Sequence, residues 1–158
     1  ATCIVPEKRN ELTTEGGLDV IHSYHTLEGF VKTLRENGSR VSMFIDPEPA
    51  QMDAVKAIGA PVVELHTGRY CEYEGEYREK ELARIIRAAS YADAIGLECH
   101  AGHGLSFNTV SGIAKIPTIT ELNIGHFLVG EGIFLGLEGA IKKMRRLMLE
   151  ARCGTLSL

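Results

Sequence analysis

The stretch ECHAGHGLSF, residues 98–107, decides the fold, and it follows an apolar run that starts at Ile95. A strand that only filled a core would close with ordinary turn residues. This stretch instead ends in two histidines and two glycines. Glycine lets the backbone approach a ligand closely, and imidazole rings titrate near neutrality. The pattern therefore indicates a buried strand whose carboxyl end leads into a binding loop.

Four more apolar runs carry strand signals, and helical patterns lie between them. The predicted strands are residues 2–5, 41–46, 61–66, 95–100 and 119–125. Apolar residues at helical spacing predict helices around residues 27–34, 52–58, 82–92 and 110–115, and one final helix of about five turns over residues 133–151. Strictly alternating strands and helices imply parallel strands with right-handed crossovers.

The two faces of these strands favour a (β/α)8 barrel over a doubly wound sheet. Helices cover both faces of a doubly wound sheet, so its central strands should be apolar on both sides. Here one face is aliphatic and the other carries polar groups toward the strand ends: Ser42, Asp46, Glu64, His66, Glu98, His100, Glu121 and Asn123. Inward-facing residues near the top of a barrel line its active site.

Chain length limits how much of a barrel can form. A complete barrel needs about 250 residues, whereas this chain has 158 and supplies five βα units. We therefore predict one partial barrel domain over residues 1–158, with about three units missing. The chain starts without methionine inside a strand-like run, so it is either processed or the C-terminal part of a longer protein.

Composition narrows the class of protein. A hydrophobic content of 44% and a charged content of 24% fit one folded domain. The net charge of −4 argues against a general nucleic-acid binder. The four cysteines are scattered and form no C-x-x-C pair, which indicates reduced thiols. The sequence shows no signal peptide and no apolar run of membrane-spanning length, so we expect a soluble cytoplasmic protein.

Two loops pair glycine with histidine: AGHG at 101–104 and NIGH at 123–126. If they follow the last two strands of a barrel, they lie where phosphate is often held by backbone N–H groups and a short helix N-terminus. We expect phosphate binding by both loops. His103, which lies beyond the strand, is the preferred acid–base candidate, against the alternative of a structural histidine.

Other residues have competing interpretations. Glu64, on the inward strand face, is either a proton relay or substrate contact, or half of a structural ion pair. His100 is interpreted as a buried, hydrogen-bonded residue. A metal site using Cys99, His100 and His103 is disfavoured because the spacing matches no standard zinc pattern. The basic cluster at 142–146 is interpreted as the solvated face of a helix.

The sequence resembles the pyridoxine 5′-phosphate synthase family, barrel enzymes that close the pyridine ring of vitamin B6. The resemblance covers the family's C-terminal two-thirds and rests on five segments in order: VPEKRNELTTEGGLDV (5–20), VVELHTG (62–68), AGHGL (101–105), ELNIGH (121–126) and RRLMLEAR (145–152). It implies condensation of 1-deoxy-D-xylulose 5-phosphate with 3-amino-2-oxopropyl phosphate to pyridoxine 5′-phosphate, phosphate and water, without a metal or redox cofactor. It also implies a homo-octamer.

The resemblance assigns roles by motif. His103 matches the family's proton donor, and Glu64 matches an active-site glutamate. The resemblance implies that Gly104, Gly125 and His126 bind 3-amino-2-oxopropyl phosphate. It also implies that Thr13, the first threonine of TTEGG, contacts 1-deoxy-D-xylulose 5-phosphate.

Two departures limit what the resemblance implies. The family's first strands, which carry general bases and substrate contacts, are absent here, so we expect little synthase activity from this chain alone. His100 stands where the family usually has asparagine. The alternatives are another phosphate-binding barrel, an isomerase or aldolase, and a non-catalytic fragment that assembles through its exposed edges.

Overall fold

Five parallel strands form one sheet in the computed structural model, which describes residues 1–6 and 16–154. Neighbouring strands follow chain order, from β1 to β5. The strands are β1 Thr2–Ile4, β2 Val41–Ile45, β3 Val62–His66, β4 Glu98–Gly102 and β5 Ile119–Asn123. The prediction of a five-stranded parallel α/β sheet is confirmed. The sequential order of the strands also distinguishes this sheet from a doubly wound sheet, in which the strand order reverses.

Helices connect consecutive strands and continue beyond β5. They are α1 Tyr24–Glu36, α2 Pro49–Ile58, α3 Gly68–Glu72, α4 Gly75–Ala94, α5 Val110–Ala114, α6 His126–Leu135 and α7 Leu137–Cys153. Gly59 ends α2 as its C-cap, with a φ of 90° in the left-handed region that glycine adopts readily. α3 was not predicted.

The prediction of one final helix is wrong. Gly136 interrupts it with a φ of 70° and a ψ of 146°, a combination that only glycine adopts readily. α6 therefore ends at Leu135, and α7 starts at Leu137.

The start of β4 also differs from the prediction. Ile95 caps α4, and the backbone N–H of Leu97 donates to the Ala92 carbonyl, so residues 95–97 finish the helix rather than begin the strand. The strand instead extends to Gly102, which leaves His103 as the first residue after it.

The core lies on the face of the sheet that was predicted to be aliphatic. Met43, Ile45 and Leu65 are fully buried there and belong to the same cluster as Val55 and Ile85 from the helices. The opposite face carries the polar side chains, including Glu64, His66 and His100. These three side chains are also buried, whereas Glu121 and Asn123 on the same face of β5 are exposed.

None of the helices within residues 1–6 and 16–154 combines the length and apolar character needed to cross a bilayer.

Candidate active site

A cavity of about 540 Å³ opens beside the carboxyl ends of the strands. Its lining comes from β2, β3 and β5, from the loops after β4 and β5, from the start of α6 and from Val5, which follows β1. Five residues that the sequence singled out line it together: Glu64, His103, Gly104, Gly125 and His126. The sixth, Thr13, lies outside the described residues. The two glycine–histidine loops are thus neighbours, as their position after adjacent strands predicts.

The loop after β4 holds His103 in an unusual backbone conformation. Its φ is 77°, and it is the only residue other than glycine with a positive φ in the described part of the chain. Such a conformation costs on the order of 1–3 kcal/mol and persists only where neighbours enforce it. Thr67 is one such neighbour, because its hydroxyl lies 2.6 Å from the His103 carbonyl oxygen and 2.8 Å from that of Gly102. The imidazole is therefore presented to the cavity by a fixed loop.

Glu64 lines the cavity, and its carboxyl group contacts two other side chains. The Asn123 side-chain amide donates to its Oε2 over 2.7 Å, and the Cys3 thiol lies 3.5 Å from the same oxygen. Burial raises the pKa of Glu64, although both of these hydrogen bonds act in the opposite direction. A carboxyl group with a raised pKa can exchange a proton closer to neutral pH.

Close packing places the Glu64 carboxyl group against β4. A Cβ atom built on Gly102 would lie 2.2 Å from Glu64 Oε1 and 3.0 Å from the Asn123 carbonyl oxygen. Only a residue without a side chain leaves room for the carboxylate at this place. Gly102 therefore leaves space for the Glu64 carboxyl group, whereas the sequence analysis expected glycine here to allow close approach of a ligand.

The loop after β5 presents a helix N-terminus to the cavity. Gly125 is the N-cap of α6, and His126 and Phe127 open its first turn. No side chain of the described residues caps this end, so its first backbone N–H groups are not taken up by a capping residue. Unpaired N–H groups and the positive end of the helix dipole favour an anion. A phosphate group fits this arrangement.

Three rings form an aromatic group beneath the loop after β4. The His66 ring centroid lies 4.9 Å from that of His103 and 5.2 Å from that of Phe44. Asp46 Oδ1 lies 3.4 Å from His66 Nδ1. The hydrogen bond with His66 lowers the pKa of Asp46, assisted by the backbone N–H of Gly17, so this carboxylate is ionised near neutrality.

A second polar group lies lower on the same face of the sheet. His100 is buried, with its Nε2 2.7 Å from Glu98 Oε1 and its Nδ1 3.4 Å from Glu121 Oε1. Arg40 pairs with the other oxygen of Glu98. The interpretation of His100 as a buried, hydrogen-bonded residue is confirmed. Across residues 1–6 and 16–154, no three His, Cys, Asp or Glu side chains are arranged to hold a metal ion.

Sequence reasoning placed Asn123, Asp46 and His66 on the polar face without giving them a role, and it did not single out Thr67. Strand alternation predicted that Asn123 and His66 lie on the polar face. The strand register would also have been needed to predict that Asn123 contacts Glu64 and that His66 contacts Asp46. Thr67 gave no signal, because its role depends on the left-handed turn at His103.

Comparison with known proteins identifies relatives of the chain. A family model described as "Pyridoxal phosphate biosynthesis protein PdxJ" matches residues 1–150. Proteins named pyridoxine 5′-phosphate synthase are similar over nearly the whole chain. The one from Rhodospirillum rubrum is 58% identical over 146 residues, which cover 92% of this chain and 59% of the relative. The one from Roseobacter denitrificans is 56% identical over 156 residues, covering 96% of this chain and 63% of the relative.

A relative from a third organism gives the same result. The relative from Sulfurihydrogenibium is 51% identical over 149 residues, which cover 94% of this chain and 61% of that protein. The chain thus spans about three-fifths of the length of the curated relatives it matches.

Proposed function

The chain belongs to the PdxJ family of pyridoxal phosphate biosynthesis proteins, and from this premise we propose that it contributes part of the active site of a pyridoxine 5′-phosphate synthase. The reaction condenses 1-deoxy-D-xylulose 5-phosphate with 3-amino-2-oxopropyl phosphate. One observation carries the proposal: His103, Glu64 and both glycine–histidine loops surround a single cavity.

The geometry suits a reaction between two small phosphorylated molecules. The N-terminus of α6, with Gly125 and His126, binds the phosphate of the aminoketone, and Gly104 contacts the same group from the opposite loop. Backbone dipoles that are already in place hold an anion without reorganising. Fixing the phosphate sets the position of the amine and the carbonyl, which turns an encounter of two molecules into a local reaction.

Proton transfer is the other requirement. Amine attack, dehydration, phosphate elimination and ring closure each move protons between carbon, nitrogen and oxygen. His103 gives a proton to a departing oxygen, since its ring borders the cavity from a rigid loop. Glu64, whose pKa burial raises, exchanges protons or stabilises positive charge that develops on the condensing nitrogen.

The sheet is proposed to be the C-terminal five βα units of a (β/α)8 barrel. Sequential parallel strands, an aliphatic face toward the helices and a polar face toward the cavity support this arrangement. α6 buries none of its side chains against the described residues, and Phe134 is 83% exposed there. About three more units, from a segment outside this chain, would cover that surface and complete one domain of which residues 1–158 are a part.

The activity is a property of the whole enzyme. In the family that the sequence resembles, general bases and further substrate contacts come from the first strands, so the isolated chain should turn over slowly or not at all. Thr13 is proposed to contact the deoxyxylulose phosphate, and the assembled protein is proposed to be a homo-oligomer.

The test compares the full-length protein with a chain limited to residues 1–158. Both are incubated with the two phosphorylated substrates, and pyridoxine 5′-phosphate is measured by its absorbance after chromatography. We expect product from the full-length protein and little or none from residues 1–158. No product from the full-length protein would reject the synthase assignment, and equal turnover by the short chain would reject the need for the missing bases.

A further inference from the structure

His66 is a buried histidine that the proposed mechanism does not use. It is the last residue of β3 and is 6% exposed. Its Nδ1 faces Asp46, but its Nε2 is buried without a hydrogen-bond partner among the described residues. Most buried polar atoms in proteins are paired, because an unpaired one loses its hydration without compensation. An apolar side chain would fill this space without that penalty, so the imidazole calls for an explanation.

The ring of His66 packs against the ring of His103. Their centroids are 4.9 Å apart, and the planes are tilted by 42°. Gly68 makes this contact possible, because an added Cβ there would lie 2.7 Å from His66 Nε2 and 3.2 Å from His103 Cδ2. His103 borders the cavity, whereas His66 is not part of its lining. Of the residues that line the cavity, His66 has ring contacts with His103 and Phe44, so its influence on bound substrate is indirect.

We propose that Asp46 and His66 form a positioning pair that fixes the ring of His103 in the cavity. This inference rests on the proposed function, in which His103 is the proton donor. Asp46 Oδ1 lies 3.4 Å from His66 Nδ1, a contact that favours the Nδ1–H tautomer and orients that ring. The anchored ring then limits the orientations open to the His103 imidazole.

The surroundings of the pair agree with this role. The hydrogen bond with His66 lowers the pKa of Asp46, and the nearby Arg69 acts in the same direction, so the acceptor is charged at neutral pH. The backbone N–H of Gly17 donates to the same Oδ1 over 3.3 Å, which fixes the carboxylate. The Phe44 ring contacts both imidazoles, with its centroid 5.2 Å from that of His66 and 6.3 Å from that of His103.

Kinetics of the full-length enzyme test whether His66 acts through His103. The His66→Ala substitution should lower kcat by about tenfold to a hundredfold, since a misplaced catalytic group costs that much, and leave both KM values within about threefold. In a His103→Asn background the same substitution should cause no further loss of kcat, because the group it positions is already gone. Equal losses in both backgrounds, or no loss in either, would overturn the proposal.

A spectroscopic readout tests the pair without relying on turnover. In protein with labelled histidine rings, nuclear magnetic resonance follows the titration of His103 in the parent, in Asp46→Asn and in His100→Asn. His100 is the matched control, because it is also a buried histidine with a carboxylate partner on the same face. We expect Asp46→Asn to move the His103 midpoint by about half a pH unit and His100→Asn to move it less.

These readouts separate the two hypotheses. A parent enzyme that makes no pyridoxine 5′-phosphate would remove the proposed function, and the ring titration would still decide whether the pair is coupled to His103. Identical His103 titrations in the parent and Asp46→Asn would overturn the positioning role even in an active synthase.

Discussion

At the scale of single residues, the site depends on side chains and backbone that are forced into uncommon positions. His103 has a left-handed backbone, and the Glu64 carboxyl group occupies the space that a side chain at residue 102 would fill. Both features cost stability, so neighbours such as Thr67 and Asn123 must hold them in place.

His103→Asn should slow turnover of the full-length enzyme by about 10²–10⁴-fold, because asparagine cannot supply the proton. Binding of both phosphorylated substrates should be largely intact, since the proposed phosphate contacts do not depend on the His103 ring. Steady-state kinetics and calorimetric binding check the two halves of the prediction. A rate equal to that of the parent would make His103 a structural residue.

Gly102→Ala should damage both stability and activity. The new methyl group meets the Glu64 carboxyl group and the backbone of Asn123, and overpacking of this kind costs about 1–3 kcal/mol of unfolding free energy. Denaturant unfolding and kcat measure the two effects. Gly29→Ala is the matched control, because a Cβ at this α1 position meets nothing within 4 Å; it should not destabilise the fold. Parent-like behaviour of Gly102→Ala would contradict the packing described for Glu64.

At the scale of elements, the strands and most helices follow from the periodicity of apolar residues, whereas breaks between elements do not. The apolar stripe runs through Ile133, Leu137 and Ile141 without interruption, so the sequence predicted one helix. A single glycine inside such a pattern is often tolerated. Gly136 separates two helices that differ in burial: α7 buries Ala140 and Met144, whereas α6 buries no side chain against the described residues.

The polar network on β4 predicts a pH dependence of stability. The Arg40 guanidinium and the His100 ring lower the pKa of Glu98 to about 2. A lowered pKa in the folded state means that the ionised group stabilises the fold above the unfolded-state pKa. That contribution is lost as the pH falls toward the folded-state value.

Glu98→Gln should therefore destabilise the full-length protein at neutral pH, and its deficit relative to the parent should shrink as the pH falls from about 5 toward about 3. The effect will be modest, because the Glu98 side chain is 36% exposed and solvent screens the pair. Denaturant unfolding at several pH values checks this. A deficit that stays constant across the range would show that Glu98 contributes through packing rather than charge.

At the scale of the whole molecule, the sequence predicted the class of fold and the grouping of the two loops, because both depend on patterns repeated along the chain. Parallel strands in chain order bring the carboxyl ends of β4 and β5 side by side, so AGHG and NIGH had to meet. The contacts of Asn123 with Glu64, and of Thr67 with the turn at His103, could not be predicted in this way. They depend on strand register and on one local backbone angle.

The most direct test of the central claim is a crystal structure of the full-length protein with 3-amino-2-oxopropyl phosphate bound. We predict that its phosphate oxygens accept hydrogen bonds from the backbone N–H groups of Gly104, Gly125 and His126, with the His103 ring facing the same ligand. A phosphate held elsewhere, or a His103 ring turned away from the ligand, would contradict this account.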